Sequence, residues 1–216
     1  MKAVRHGSAE CSRKSLQTTK VWQALAFITR HANDDTVQPS VPYRAPLIVT
    51  AELPGPVQAW ADGLRKAHFP PERNHLAAHV TLFHALPFHV LQEARALLSR
   101  LAAQTAPVEA RLNGIMDLGT GTALRIDCPA MLELREEIAD HFHGLLTQQD
   151  DHVPRLHVTV QNKVLRKDAI DLQMSLQATC VVHPFTFAGL GLHHYLGGPW
   201  SDAGRWPFRG ARRGRR

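Results

Sequence analysis

Apolar and polar positions alternate along this chain in two periods. Residues 46–53 (PLIVTAEL) are rich in aliphatic and β-branched side chains and predict a strand. Residues 54–69 (PGPVQAWADGLRKAHF), opened by prolines, predict a helix. After the loop 70–78 (PPERNHLAA), a second strand is expected from His79 to the stop at Pro87. A helix follows over 89–104, with Leu91, Ala94, Leu97, Leu98 and Leu101 on one face. The strand VEARLNGIMDLG (108–119) then ends in the turn-like GTGT at 119–122.

The second half runs in the same order. TALRIDC (122–128) predicts a strand, and 129–146 a helix that aligns Leu134, Ile138, Phe142 and Leu145. The loop TQQDDHVPRL (147–156), where Asp150 and Asp151 read as polar loop residues, precedes a strand at His157. A helix over 166–177 and one or two strands within 179–196 complete the half. From Leu47 to His79 is 32 residues, and from Ala123 to His157 is 34. Such a match implies an internal duplication, with equivalent strands facing each other across a shared cleft about a pseudo-twofold axis.

Composition narrows the classes. A chain of 216 residues with 44% hydrophobic content suits one domain or two small lobes, and it contains no run of about 18 apolar residues. A membrane partner is therefore not expected. Three cysteines, Cys11, Cys128 and Cys180, without C-x-x-C spacing argue against a disulfide scaffold or zinc ribbon and fit the reducing cytoplasm. The net charge of +6 divides into +4 over residues 1–45, −4 over 46–202 and +6 over 203–216. The basic pI thus falls to the ends, and an arginine-rich tail over 209–216 is able to reach RNA phosphates or other polyanions. Residues 1–44 read as a basic appendage with one helix near 15–31. It lacks the apolar core and cleavage site of a secretory signal.

The candidate chemistry lies in two nearly identical segments, HVTLFH from His79 and HVTVQN from His157. Residues two apart on a strand share a face. His79, Thr81 and Phe83 are thus expected on one face, and His157, Thr159 and Gln161 on its counterpart. Each pair sets an imidazole beside a hydroxyl, and two pairs across a cleft would supply a base, an acid and phosphoryl-oxygen donors. In-line displacement at a phosphodiester needs that equipment and no metal or other cofactor. The bare His-x-Ser/Thr pattern is weak, as HGS at 6–8 shows; the aliphatic fourth residue and the duplication spacing strengthen it. His141, His143, His193 and His194 lack metal-ligand spacing, and no metal site is expected. Arg73 and Arg155 precede the motif strands as loop residues, with contact to a phosphate and a purely solvated role left open alike, and Tyr195 and Trp200 lie near the last strand, where packing outweighs stacking on a base.

The two motifs, with AAHVTLFHALP and RLHVTVQNKV around them, and the later LHHYLGGPW, resemble the 2H phosphoesterases, above all the bacterial 2′-5′ RNA ligase-like proteins. The likeness covers about residues 45–208, and the family's two motifs map without gaps onto 79–82 and 157–160. It implies a bilobal α+β fold, with an antiparallel sheet in each lobe, helices packed outside and the site in the central groove. It also implies metal-independent action on 2′,3′-cyclic phosphate ends or 2′-5′ links of RNA or nucleotides, with possible reversal to ligation. His79 and His157 would be the acid–base pair, and Thr81 and Thr159 would bind the phosphate. RNA ends or a small cyclic nucleotide are the expected partners, and a monomer the expected state. The alternative from another class is a non-catalytic RNA- or nucleotide-phosphate-binding module that uses the same cleft.

Overall fold

The computed structural model describes residues 44–179 and 182–211. The helix expected over 15–31 and the arginines from 212 onward lie outside the described residues. The elements are β1 (Leu47–Glu52), α1 (Gly55–His68), β2 (Val80–Leu86), α2 (Leu91–Gln104), β3 (Val108–Asp117) and β4 (Gly121–Asp127). They continue with α3 (Pro129–His141), β5 (His157–Asn162), α4 (Arg166–Thr179), β6 (His183–Phe187), β7 (Gly189–Tyr195) and β8 (Trp200–Pro207).

The strands form two four-stranded antiparallel sheets, ordered β2-β1-β7-β8 and β5-β4-β3-β6. This is the expected α+β arrangement, but the lobes are not the sequence halves. Strands from each half change sides: β3, the third of the first half, pairs with β4 in the second sheet, and β7, the fourth of the second half, returns to pair with β1 in the first. The exchange merges the lobes around one continuous cluster of buried side chains, which includes Leu47, Val49, Leu98, Leu124, Val158 and Phe187. Burial of apolar surface on this scale is the dominant stabilising term.

Helix patterns transfer to packing with one change. α2 buries Ala94, Leu97, Leu98 and Leu101, the face its periodicity predicts. α3 buries Leu134 and Ile138 and stops at His141 with Phe142 still in the core, and Leu145 is exposed. Gly144, at φ +81°, turns the chain away there, so the helix expected to reach 146 is shorter.

Both motif strands carry a bulge at the same place. Thr50 pairs with Thr81 while the adjacent Val49 pairs with Phe83; Ala123 pairs with Thr159 while the adjacent Thr122 pairs with Gln161. Leu82 and Val160 are each the additional residue. A bulge breaks the alternation of faces, so Leu82 and Phe83 are both buried, as are Val160 and Gln161. The expectation that Phe83 and Gln161 share the groove face with the histidines is therefore overturned. Phe83 stacks beneath the Arg135 guanidinium, 4.5 Å from ring centroid to Cζ, and Gln161 accepts a hydrogen bond from Thr122 at 3.2 Å.

Asp150 is also not the solvated loop residue expected. It is buried, and its carboxylate accepts from the backbone N–H groups of His84 and Ala85 at 2.9–3.0 Å and from the Thr147 hydroxyl at 3.3 Å. His84 Nδ1 lies 2.8 Å away. Burial alone would push this carboxyl up, but the bonds from His84 and Ala85 outweigh it and hold the group below its usual range. A depressed pKa stabilises the fold above the unfolded value and loses that contribution as pH falls through the folded one. Asp150→Ala is expected to cost about 2–4 kcal/mol in urea unfolding near neutrality, because it orphans buried donors. Asp151→Ala, on an exposed neighbour, should stay within about 0.5 kcal/mol.

Candidate active site

The residue before each candidate histidine is fixed by the fold. Ala78, which leads into His79, donates its N–H to Asp62 and offers its carbonyl to Gln58 at 2.8 Å; both side chains come from α1. His79 Nδ1 then lies 2.8 Å from the Ala77 carbonyl, and His157 Nδ1 lies 2.6 Å from the Arg155 carbonyl. In each case the acceptor is the backbone two residues upstream. A carbonyl only accepts, so both Nδ1 atoms carry the hydrogen and both Nε2 atoms remain for other work.

β2 and β5 are edge strands of their sheets, and they approach each other across the groove. Two buried arginines tie them crosswise. Arg65, from α1, donates to the Thr159 carbonyl on β5 at 2.8 Å, to the Leu76 carbonyl at 3.2 Å and to Asn74 at 2.9 Å. Arg135, from α3, donates to the Leu82 carbonyl on β2 at 3.4 Å and to the Asp150 carbonyl. α1 and α3 occupy equivalent places in the two halves, so the duplication extends to these guanidiniums. Neither arginine was recognised in the sequence, where a lone Arg on a helix reads as solvated.

His79 and His157 are close enough for their charges to interact. Burial pushes the His79 imidazole down to about 4; the Ala77 carbonyl opposes that shift, while Arg65, His193 and His157 add to it. Thr81 and Thr159, the other two predicted residues, are partly exposed beside their histidines, and their hydroxyls have no protein partner among the described residues. The fold thus brings together the two strands that carry these four residues, and of the four His79 alone lines the adjoining cavity.

The first sheet contributes more than the motif. A cavity of about 470 Å³ beside His79 is lined by Thr50, Glu52, His193, Trp200, Asp202 and Arg205, among others. The Trp200 ring lies 4.5 Å from His79 and 5.3 Å from His193, centroid to centroid. Thr50 donates to Glu52 at 3.0 Å, so the 3.0 Å contact between Thr50 and His193 Nε2 has the imidazole as donor. Burial lowers the pKa of His193, against the pull of Glu52 and Asp202. Gly191 makes the convergence possible, since a Cβ there would collide with Glu52 and Thr50. Arg205, assigned from sequence to a basic end, instead sits in β8 and bridges Glu52 at 3.0 Å and Asp202 at 2.9 Å. The basic excess therefore does not belong wholly to the termini. Among the described residues no three of His, Cys, Asp or Glu converge as a metal site requires, and no helix is long and apolar enough to cross a membrane.

Over residues 53–199 the sequence matches the 2′-5′ RNA ligase superfamily, and the chain belongs to that family. The fold matches the crystal structure of TT0787 of Thermus thermophilus, with TM-score 0.52 and 20% identity, over 76% of this chain and 98% of that one. E. coli LigT, crystallised with 3′-AMP, aligns with TM-score 0.47 and 16% identity, over 76% of this chain and 98% of that chain. No curated protein matches the sequence.

Arg65→Ala and Arg135→Ala are each expected to lose about 2–4 kcal/mol in urea unfolding, by stranding buried strand carbonyls. Lysine at either position should recover less than half of the loss, since one ammonium cannot span the acceptors.

Proposed function

We propose that this protein is a metal-independent phosphoesterase that opens 2′,3′-cyclic phosphates or cleaves 2′-5′ phosphodiester bonds in RNA or nucleotides. The observation that carries the reading is the matched pair of imidazoles. Two histidines on facing edge strands are held by the same backbone contact, each with Nε2 free and a threonine hydroxyl beside it. Membership of the 2′-5′ RNA ligase superfamily supports a phosphoesterase activity of this type.

The two histidines divide the work. His79, whose pKa is lowered to about 4, is neutral at physiological pH and suited to accept a proton. In hydrolysis of a cyclic phosphate it takes the proton of the attacking water as the new P–O bond forms. His157, in its protonated form, gives a proton to the departing ribose 3′ oxygen as the old P–O bond breaks, leaving a 2′-phosphate. Thr81 and Thr159 donate to the phosphoryl oxygens, where negative charge grows. With a nucleoside 5′ hydroxyl in place of water the same forward steps form a 2′-5′ link, and their reversal, in which the ribose 3′ hydroxyl attacks and the 5′ hydroxyl departs, cleaves one to a cyclic phosphate.

With a 2′,3′-cyclic nucleotide in EDTA, His79→Ala and His157→Ala should each lower kcat/KM by ~10²–10⁴-fold. Thr81→Ala and Thr159→Ala should each cost on the order of 10–100-fold, as one donor to the phosphoryl group is lost. Nucleotide binding by wild type without any product would instead favour a phosphate-binding module.

The acidic limb of the kcat/KM profile tests the assignment of the base. Protonation of His79 abolishes its role, so activity should persist down to about pH 4 and fall below it. An acidic limb at the ordinary histidine value of roughly 6.5 would contradict the assignment. Trp200→Ala, which opens the His79 ring to water, should move that limb upward.

A further inference from the structure

We propose that Arg125 binds a second phosphate of the substrate, the one adjoining the reacting phosphate, and so selects a polynucleotide end over a free nucleotide. The inference rests on the phosphoesterase reading above and adds to it a residue and a ligand contact.

Arg125 on β4 pairs directly with His157 on β5, so the two side chains leave the same face of the second sheet as cross-strand neighbours. Thr50–Thr81 in the first sheet corresponds to Ala123–Thr159 in the second, and Ala51–Val80 to Leu124–Val158. One residue further, the counterpart of Arg125 is Glu52. The pseudo-twofold therefore places a carboxylate beside His79 and a guanidinium beside His157.

These two charges are not in the same condition. Glu52 is engaged by the Thr50 hydroxyl and by Arg205. Arg125 has no carboxylate partner among the described residues, and its Nε donates to the Asn113 carbonyl at 2.7 Å. That carbonyl lies in a bulge of β3 between Leu112 and Ile115, where Gly114 takes φ +94°. The contact fixes one edge of the guanidinium over β3, with Nη2 near Gly114, and leaves the side chain exposed on the sheet face that carries His157. A planar, oriented fork without a counter-ion is suited to a phosphate, which it can bind through two parallel hydrogen bonds.

Position separates this phosphate from the reacting one. In the proposed mechanism the threonine hydroxyls and both imidazoles take up the reacting phosphate. Arg125 stands one strand outward, opposite His157 rather than Thr159, and cross-strand Cβ atoms are about 5 Å apart. A neighbouring phosphate of the same strand is the group that such a displacement accommodates.

The test compares adenosine 2′,3′-cyclic phosphate with an adenosine trinucleotide that ends in the same cyclic phosphate. Wild type should favour the trinucleotide in kcat/KM by roughly ten-fold or more, the worth of one charged hydrogen-bonded contact. Arg125→Ala should bring the ratio towards one, and Arg125→Lys, which keeps charge without the fork, should fall between. The slope of log(kcat/KM) against log salt for the trinucleotide should become shallower by about 0.7 in Arg125→Ala, as expected for one lost phosphate contact on a single strand. An unaltered ratio, or an equal loss on both substrates, overturns the proposal. If wild type turns over neither substrate, the phosphoesterase reading fails. Calorimetric titration of adenosine 2′-phosphate against the trinucleotide ending in a 2′-phosphate then decides on Arg125 by the same affinity ratio, without turnover.

Discussion

A strand at the edge of a sheet leaves one row of backbone donors and acceptors unpaired, and this protein puts both of its motif strands in that position. Burying such a row between lobes without partners would cost about 1–3 kcal/mol per group. The fold meets the constraint with side chains from elsewhere in the chain. Arg65 caps the Thr159 carbonyl, Arg135 caps the Leu82 carbonyl, and the Asp150 carboxylate takes the N–H groups of His84 and Ala85. Because α1 serves β5 and α3 serves β2, the ties run between the motif strands and hold them at a fixed separation. A site that grips one phosphate from two sides depends on that separation.

The same ties shape the chemistry. Arg65 is a buried positive charge near His79, and it adds to the desolvation that keeps this imidazole neutral. Trp200 covers the ring from the other sheet edge, with His193 behind it. The duplication supplies two equivalent histidines, and the surroundings then make them unequal. On the His79 side lie an aromatic ring, a third imidazole and an arginine neutralised by two carboxylates; across from His157, on β4, stands Arg125, which has no carboxylate partner among the described residues. A ligand bound between the two histidines would meet different groups at its two ends.

Much of this was legible in the sequence because it followed from period and repetition. The strand–helix order, the apolar face of α2, and the placing of both His-Val-Thr motifs on strands that approach each other need only local patterns and the near-equal spacing of the two halves. What escaped depends on register. Phe83 and Gln161 left the groove face because a bulge inserts one residue after each His-Val-Thr, and nothing in the composition of Leu82 or Val160 marks it. The strand exchange that places β3 and β7 in opposite sheets is a matter of connection rather than periodicity. Arg65, Arg135 and Asp150 are buried by long-range partners 94, 53 and 66 positions away, which no window along the chain can see. Arg205 read as part of a basic end because WSDAGRWP, the strand that holds it, lacks the apolar–polar alternation that marks a strand.

Everything functional in this account reduces to two Nε2 atoms addressing one phosphorus centre. A crystal structure of the protein with adenosine 2′-phosphate, the product of cyclic-phosphate opening, tests it most directly. His79 Nε2 and His157 Nε2 are both expected about 3 Å from oxygens of the same phosphate, with the Thr81 and Thr159 hydroxyls on the remaining oxygens. A phosphate held by only one of the imidazoles, or bound away from the groove, would contradict it.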